Sequence, residues 1–290
     1  MIPRLVPTLL ALLLSVVPLS ASWAEGFTGA GSTFAHPVLA KWAKAFAGQE
    51  GDGGAVVSVD DGLDYEPIGS LGGVTRVIQR EVDFGATDAP LTPEELAKRG
   101  LDQFPLVTGG VAVVVNVKGV ASGTLRLSGA LLARIYLGEV TRWSDLALAS
   151  LNPGMQLTNA PIVVVRRSDG SGTTYNFAAY LAGASAEWRS RVGVDTLLVW
   201  PAGMPAKGNQ ELAERVRATE NSIGYVEASQ AARLGLSVVM VGNRAGNFVA
   251  PTPASLSAAL ATTVWDPGRH FYTDAADPSG AEAYPITATV

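Results

Sequence analysis

One segment of this 290-residue chain combines cationic, acidic and hydroxyl side chains in a way that suits a tetrahedral oxyanion. It runs Arg166-Arg167-Ser168-Asp169-Gly170-Ser171-Gly172-Thr173. The apolar run Ile162–Val165 before it predicts a strand, and Tyr175, Phe177 and Tyr180 after it recur with helical spacing. The segment therefore predicts a turn between a strand and a helix. There, an arginine and the first N–H groups of the helix can face one anion.

Two other predicted helix starts carry glycines together with hydroxyl residues. They are Gly29-Ala30-Gly31-Ser32-Thr33-Phe34 and Ile68-Gly69-Ser70-Leu71-Gly72-Gly73. The first turn of a helix exposes N–H groups with partial positive charge, glycine lets the backbone approach closely, and hydroxyls donate further hydrogen bonds. Ser and Thr are also ordinary helix caps, and capping is the favoured interpretation of any one such turn. Three turns together with a strand-end arginine favour one shared anion site.

Asp88 follows the predicted strand Val82–Ala86 and precedes Ala89-Pro90. On these residues alone it indicates only the start of a turn, because Asp is common at such bends.

Several other chemistries lack their residues. The segment from Gly29 has Phe34 where a dinucleotide fingerprint needs its third glycine, and no lysine-bearing P-loop is present. Ser171 lacks the spacing of a hydrolase nucleophile, and His36 and His270 stand outside any triad motif. The chain has no cysteine, which excludes disulfides and thiolate metal sites. We expect neither a cofactor nor a metal, and no catalytic residue.

Charge and the N-terminal segment bear on location. The chain carries 21 Lys+Arg and 26 Asp+Glu, and this net acidity disfavours nucleic acid as a partner. Residues 1–24 place Arg4 before the apolar run Leu5–Leu19 and end in small residues at Ala24, which is the pattern of a cleaved signal peptide. We therefore expect a secreted, periplasmic protein, and we expect it to be a monomer.

Apolar β-branched runs alternate with amphipathic helical patterns, which predicts an α/β architecture. The predicted strands are Val56–Val59, Val82–Ala86, Val111–Asn116, Ile162–Arg166, Ile223–Val226 and Ser237–Val241. The predicted helices are Pro37–Phe46, Gly73–Arg80, Pro93–Arg99, Ala130–Leu137, Thr173–Leu181, Glu211–Arg217 and Ser255–Ala261.

The three turns and the Asp88 segment together closely resemble the periplasmic phosphate-binding proteins of bacterial ABC transporters. Further segments share the resemblance through most of the chain: Ile135-Tyr136-Leu137-Gly138, Trp143-x-Asp145, Leu151-Asn152-Pro153-Gly154, Lys207-Gly208-Asn209, Ser222-Ile223-Gly224-Tyr225-Val226-Glu227 and Tyr284-Pro285-Ile286-Thr287.

The resemblance implies the two-lobe fold of periplasmic binding proteins, the type II solute-binding fold, with the ligand in the cleft between the lobes. Lobe one is then residues 25–107 together with a return segment, residues 250–290, and lobe two is residues 108–249. Because related chains continue past the segment that ends here at Val290, lobe one is expected to be incomplete at its C-terminus. The implied partners are inorganic phosphate and the permease subunits of a phosphate importer.

The resemblance also assigns ligand positions. These are Thr33, Phe34 through its backbone N–H, Ser70, Asp88, Arg167, Ser171, Gly172 and Thr173, with Asp169 orienting the arginine. Asp88 then serves specificity, since phosphate keeps a proton that it can donate to a carboxylate and sulfate does not. Leu71 departs from the family pattern, because many relatives have a second hydroxyl residue there. The loop Gly51–Pro67 also departs from it, because it is longer than usual.

The expected function is capture of phosphate without turnover. One alternative is a phosphate-handling hydrolase with Ser171 or Thr173 as its nucleophile. Another is a shortened relative that serves phosphate sensing rather than transport.

Overall fold

The computed structural model describes residues 27–47, 64–273 and 276–290. The predicted leader, residues 1–24, and the predicted strand Val56–Val59 lie outside the described residues. Within the described ranges, no helix has the length and apolar character needed to cross a membrane.

Strands and helices alternate along the described chain. The strands are β1 (Thr28–Gly31), β2 (Asp64–Glu66), β3 (Phe84–Ala86), β4 (Thr108–Asn116), β5 (Arg126–Leu127), β6 (Val163–Arg167), β7 (Met204–Ala206), β8 (Ser222–Glu227), β9 (Ser237–Val238), β10 (Met240–Gly242), β11 (Phe248–Val249) and β12 (Thr287–Thr289). The helices are α1 (His36–Ala47), α2 (Ser70–Gln79), α3 (Pro93–Arg99), α4 (Gly129–Tyr136), α5 (Leu146–Leu151), α6 (Gly172–Ala184), α7 (Ala186–Arg191), α8 (Gly208–Ala218), α9 (Ala228–Arg233) and α10 (Pro253–Leu260). The α/β class predicted from the sequence is confirmed.

The first sheet brings two of the predicted segments to one edge. Its order is β2-β1-β3, and both neighbours run parallel to β1. The backbone N–H of Ser32, just past β1, donates to the carbonyl of Ala86 at the end of β3 at 2.8 Å. Because parallel strands share their carboxyl edge, the Ser32-Thr33 turn and Asp88 leave the sheet side by side.

The largest sheet carries the third turn. Its order is β12-β4-β8-β6-β7, with β9 also paired to β4. Val111–Val115 of β4 and all of β8 are buried, as expected for strands covered on both faces. Helices α6 and α8 pack against this sheet. Strand β6 runs parallel to β8 and β7 and delivers Arg167 at its carboxyl end.

A third, small sheet has the order β11-β10-β5. It explains why the predicted strand Ser237–Val241 is two strands: β9 pairs with β4, whereas β10 pairs with β5 and β11. The predicted lobe boundaries, 107/108 and 249/250, coincide with the start of β4 and the end of β11, and they stay a prediction.

An apolar groove of about 740 Å³ lies beside the first sheet. Leu39 and Trp42 of α1, Val77 of α2, Phe84 of β3 and the C-terminal Val290 are among its lining residues. Trp42 is 46% exposed and faces this groove.

Candidate anion site

Arg167 is the buried cation of the site. Its side chain is fully enclosed at the end of β6, and Nε and Nη2 donate to the two carboxylate oxygens of Asp169 at 2.7 and 2.5 Å. Its Nη1 is buried and has no hydrogen-bond partner among the described residues. The Asp169 fork thus sets the orientation of the guanidinium and leaves one N–H-bearing nitrogen for an acceptor from elsewhere.

Asp169 is held as a carboxylate by its neighbours. Burial on its own raises the pKa of Asp169, but the hydrogen bond and charge of Arg167 and the backbone N–H of Gly208 outweigh burial. The net effect is a pKa below the ordinary value of 3.8. The Gly208 N–H, at the start of α8, donates to Oδ1 of Asp169 at 3.0 Å. Asp169 therefore stays charged throughout the neutral range and keeps the arginine in place.

The turn after β6 opens helix α6 as the sequence predicts. Oγ of Ser171 accepts the backbone N–H of Thr174 at 3.1 Å, so the capping interpretation of this residue is what the structure shows. A capping hydroxyl still has its own hydrogen to donate. The N–H of Gly172, in the first turn of α6, donates to Oγ of Ser70 at 3.0 Å.

Asp88 lies between the second and third turns and is 1% exposed. Its Oδ1 accepts the hydroxyl of Ser70 at 2.5 Å, and its Oδ2 accepts the hydroxyl of Thr173 at 3.1 Å. The carboxylate thus contacts hydroxyls at the starts of two helices, α2 and α6. Its backbone carbonyl accepts Nδ2 of Asn176 at 2.5 Å, which anchors the Asp88 segment to α6.

The first turn, between β1 and α1, is organised by Ser32. Oγ of Ser32 accepts the backbone N–H groups of Phe34 and Ala35 at 3.1 and 3.2 Å. The N–H of Phe34, which the resemblance assigns to the ligand, therefore has a partner within its own turn here. Oγ1 of Thr33 accepts two N–H groups of Asn209, from the side chain at 2.9 Å and from the backbone at 3.3 Å.

Two glycines permit the close contact of these turns. Gly69, with φ of 93°, precedes α2, and a Cβ there would lie 2.6 Å from the carbonyl oxygen of Gly170. This positive φ also lets α2 begin at Ser70, three residues before the predicted start. At Gly172 a Cβ would lie 2.3 Å from Oδ1 of Asp88. Residues other than glycine would push the Asp88 carboxylate away from the start of α6.

Hydrogen bonds through Asn209 join Thr33, Ser70, Asp88, Gly172 and Thr173 into one group, and the Arg167 side chain forms a separate pair with Asp169. Three residues that the sequence does not predict also take part. Asn176 and Asn209 contact the group as described above. The hydroxyl of Tyr225, on β8, accepts the backbone N–H of Arg167 at 3.3 Å and bonds to the hydroxyl of Thr174 at 2.7 Å. Burial raises the pKa of Tyr225 to about 12, so the phenol stays protonated. Asn209 and Tyr225 lie in segments noted for the resemblance, but a carboxamide or phenol carries no signal of its own.

The histidines belong to other contacts. His36 stacks on Tyr65 with ring centroids 6.0 Å apart, and Nδ1 of His270 pairs with Asp102 at 2.8 Å. Among the described residues, groups of three or more side chains that could hold a metal ion are absent. A buried arginine with a spare N–H, several hydroxyls and a helix start suit the binding of an oxyanion.

Residues 18–289 match the family model described as the PBP superfamily domain. The phosphate-binding protein PstS of Xylella fastidiosa is 40% identical over 277 residues, covering 95% of this chain and 74% of that protein. PstS of Pasteurella multocida is 40% identical over 280 residues, covering 97% of this chain and 78% of the relative. The chain belongs to the PstS family.

Solved structures agree with this membership. A phosphate ABC transporter substrate-binding protein of Clostridium perfringens, described as putative and solved with bound phosphate, superposes with a TM-score of 0.60 at 27% identity and covers 80% of each chain. A periplasmic phosphate-binding protein, PfluDING, has a TM-score of 0.64 at 20% identity, covers 91% of this chain and 79% of its own, and supports the fold alone. The predicted periplasmic-binding-protein fold is confirmed. The names of the relatives describe binding proteins and not enzymes, in agreement with the expectation of a receptor.

Proposed function

We propose that this protein binds inorganic phosphate between its two lobes and presents it to the membrane permease of an ABC-type importer. The proposed contacts are the side chains of Thr33, Ser70, Asp88, Arg167, Ser171 and Thr173 and the backbone N–H groups of Phe34 and Gly172, with Asp169 orienting the arginine.

The observation that carries this proposal is the guanidinium of Arg167. It is buried, it is paired with Asp169 on one side, and its Nη1 has no partner among the described residues. A buried donor without an acceptor costs about 1–3 kcal/mol, and more when it is charged. An anion beside Nη1 removes that cost and adds a charge-assisted hydrogen bond.

Asp88 is the residue that selects phosphate over other oxyanions. A carboxylate only accepts hydrogen bonds, so a buried carboxylate favours an oxyanion that still carries a proton. Phosphate keeps a proton at neutral pH and sulfate does not. In the structure the Asp88 carboxylate contacts Ser70 and Thr173, which are themselves proposed contacts, so it lies where a bound anion meets it.

Location and partner follow from the family. The predicted signal peptide supports export, and PfluDING is described as periplasmic. The Clostridium perfringens relative is described as a substrate-binding protein of a phosphate ABC transporter. We infer that the present protein works in the periplasm, with permease subunits as partners and with neither nucleic acid nor a further copy of itself required.

The test is calorimetric titration of the purified mature chain with phosphate, with sulfate as competitor. We expect saturable phosphate binding at one site and little displacement by sulfate. Arg167→Ala should weaken phosphate binding more than loss of any single hydroxyl does. Arg166→Ala is the matched control, because successive residues of a strand point to opposite faces of the sheet. Absence of phosphate binding by the folded chain overturns the proposal.

A phosphomonoester distinguishes this function from the hydrolase alternative. The capping geometry of Ser171 and the Thr173–Asp88 hydrogen bond both suit binding. Sustained release of phosphate from p-nitrophenyl phosphate would contradict the receptor, and absence of turnover together with phosphate binding would support it.

A further inference from the structure

Asn209 links the two halves of the site. It is the second residue of α8 and is 3% exposed. Its Nδ2 donates to Oγ1 of Thr33 at 2.9 Å, in the turn that follows β1, and to Oγ1 of Thr173 at 3.3 Å, in the first turn of α6. One carboxamide therefore contacts hydroxyls from two of the three predicted turns.

The orientation of this carboxamide is determined by its third partner. Oδ1 of Asn209 accepts the backbone N–H of Glu227, at the end of β8, at 3.0 Å. Because a backbone N–H can only donate, the atom facing Glu227 must be the oxygen, and the atom facing the threonines must be the nitrogen. Asn209 thus presents donors, not acceptors, to both hydroxyls.

These donors decide what the hydroxyls can do. A hydroxyl has one hydrogen to donate and two lone pairs to accept with. Oγ1 of Thr33 accepts the Nδ2 and the backbone N–H of Asn209, which uses both lone pairs and leaves its hydrogen to be donated. Oγ1 of Thr173 accepts from Asn209 and donates to Asp88. Both hydroxyls are therefore held as donors. The hydrogen of Thr33 is left for an oxyanion, whereas that of Thr173 goes to Asp88 in this structure.

We propose that Asn209 is a positioning residue for phosphate: its carboxamide holds the Thr33 hydroxyl as a donor toward the anion and the Thr173 hydroxyl as a donor toward Asp88, and it joins the two lobes around the anion. This inference rests on the proposed phosphate-binding function and assigns to Asn209 a part that does not require it to touch the ligand.

The first test is Asn209→Asp, which keeps size and shape but replaces two N–H donors with an acceptor. The threonine hydroxyls then turn their hydrogens toward the new carboxylate. We expect phosphate affinity to fall by at least about 10-fold, the effect of losing the Thr33 hydrogen bond to a charged acceptor. Asn152→Asp is the matched control, because Asn152 is also buried and also accepts a backbone N–H and donates to carbonyls, within lobe two, with none of the proposed ligand contacts among its partners. It should cost stability and leave phosphate affinity within threefold.

The pH dependence of phosphate affinity distinguishes a positioning role of Asn209 from a purely structural role. As the pH falls and the carboxyl introduced by N209D takes up a proton, it regains a donor, so its affinity relative to the wild type should recover. A variant that is merely less well folded loses further affinity under acid.

A double-mutant cycle keeps the inference testable if N209D folds poorly. Asn209→Ala and Thr33→Val should be less than additive in phosphate affinity, because the carboxamide acts through that hydroxyl. Wild-type binding with N209D within threefold, or full additivity in the cycle, overturns the inference and leaves the proposed function standing. Failure of the wild type to bind phosphate overturns both.

Discussion

Asp88→Asn is the most direct probe of specificity. The carboxylate is 1% exposed, with Oδ1 at 2.5 Å from the hydroxyl of Ser70 and Oδ2 at 3.1 Å from that of Thr173. An asparagine can keep its Oδ1 opposite Ser70, and its Nδ2 then replaces the oxygen on the Thr173 side. The change turns one acceptor into a donor with almost no change of shape, so a bound anion meets an N–H where it met a carboxylate oxygen.

The magnitude follows from two terms. For phosphate, the hydrogen bond from its proton to a charged acceptor contributes about 1.5–3 kcal/mol. For sulfate that bond is missing, and a sulfate oxygen and a carboxylate oxygen face each other as two buried acceptors with no hydrogen between them, at a cost of about 1–3 kcal/mol. Together these terms make a preference of roughly 10² to 10⁴, at about 1.4 kcal/mol for each factor of ten. In the Asp88→Asn variant neither term remains, so we expect the phosphate-over-sulfate ratio to fall by roughly 10²-fold or more.

The assay is calorimetric titration of the wild type and Asp88→Asn with phosphate and with sulfate, at neutral pH. Asp102→Asn supplies the matched control, because this carboxyl is 86% exposed and the chemical change is the same. Thermal unfolding of each variant shows whether it is folded. A folded Asp88→Asn that keeps the wild-type phosphate-over-sulfate ratio within threefold refutes the reasoning.

Three further predictions concern the arginine pair and the start of α6. Arg167→Lys should weaken phosphate binding roughly 10- to 100-fold by calorimetry, because one ammonium cannot both make the two-pronged contact with the Asp169 carboxylate and reach the anion as the guanidinium does. An unchanged phosphate affinity would show that the positive charge alone suffices. Gly172→Ala should abolish measurable phosphate binding, because the new Cβ displaces Asp88. Gly183→Ala is the control: it lies in the same helix with open space around it, so it should leave phosphate affinity unchanged and raise the free energy of unfolding by about 0.5–1 kcal/mol. Equal phosphate affinities of the two variants would contradict this prediction. Because the pKa of Asp169 is lowered in the folded state, its carboxylate stabilises the fold at pH values above 3.8, and this stabilisation is lost as the pH falls through the lower folded pKa. The difference in free energy of unfolding between the wild type and Asp169→Asn, measured by urea titration, should therefore become smaller in acid. A difference that grows in acid would refute the assignment.

Local chemistry made some of this fold predictable. Helix α3 has its predicted bounds, Pro93–Arg99, because Thr92 and Glu95 form a capping box and Gly100 ends the helix in the left-handed conformation. The sequence does not predict strand β1, because Thr28–Gly31 is made of small residues without a strand pattern. Its strand conformation depends on parallel pairing with β2 and β3, which are distant in the chain.

The candidate site also contains residues that the sequence predicts and residues that it does not. Hydroxyl residues, glycines and an arginine at a strand-to-helix turn predict anion binding from their residue types alone. Asn176 and Asn209 do not, since carboxamides are common at surfaces and turns, and only the meeting of separate segments shows what they contact. The contact between Gly69 and Gly170 is equally hidden, because it joins residues about a hundred positions apart.

The charges of the site have a consequence for the setting in which the protein works. Arg167 contributes one positive charge, and Asp88 and Asp169 contribute two negative ones, in a chain whose net charge is −5. Attraction for an anion therefore comes from short-range contacts in a buried site, the Nη1 of Arg167 together with N–H and O–H dipoles, which dissolved ions screen far less than exposed charges. The strength of these buried contacts should therefore change little with ionic strength.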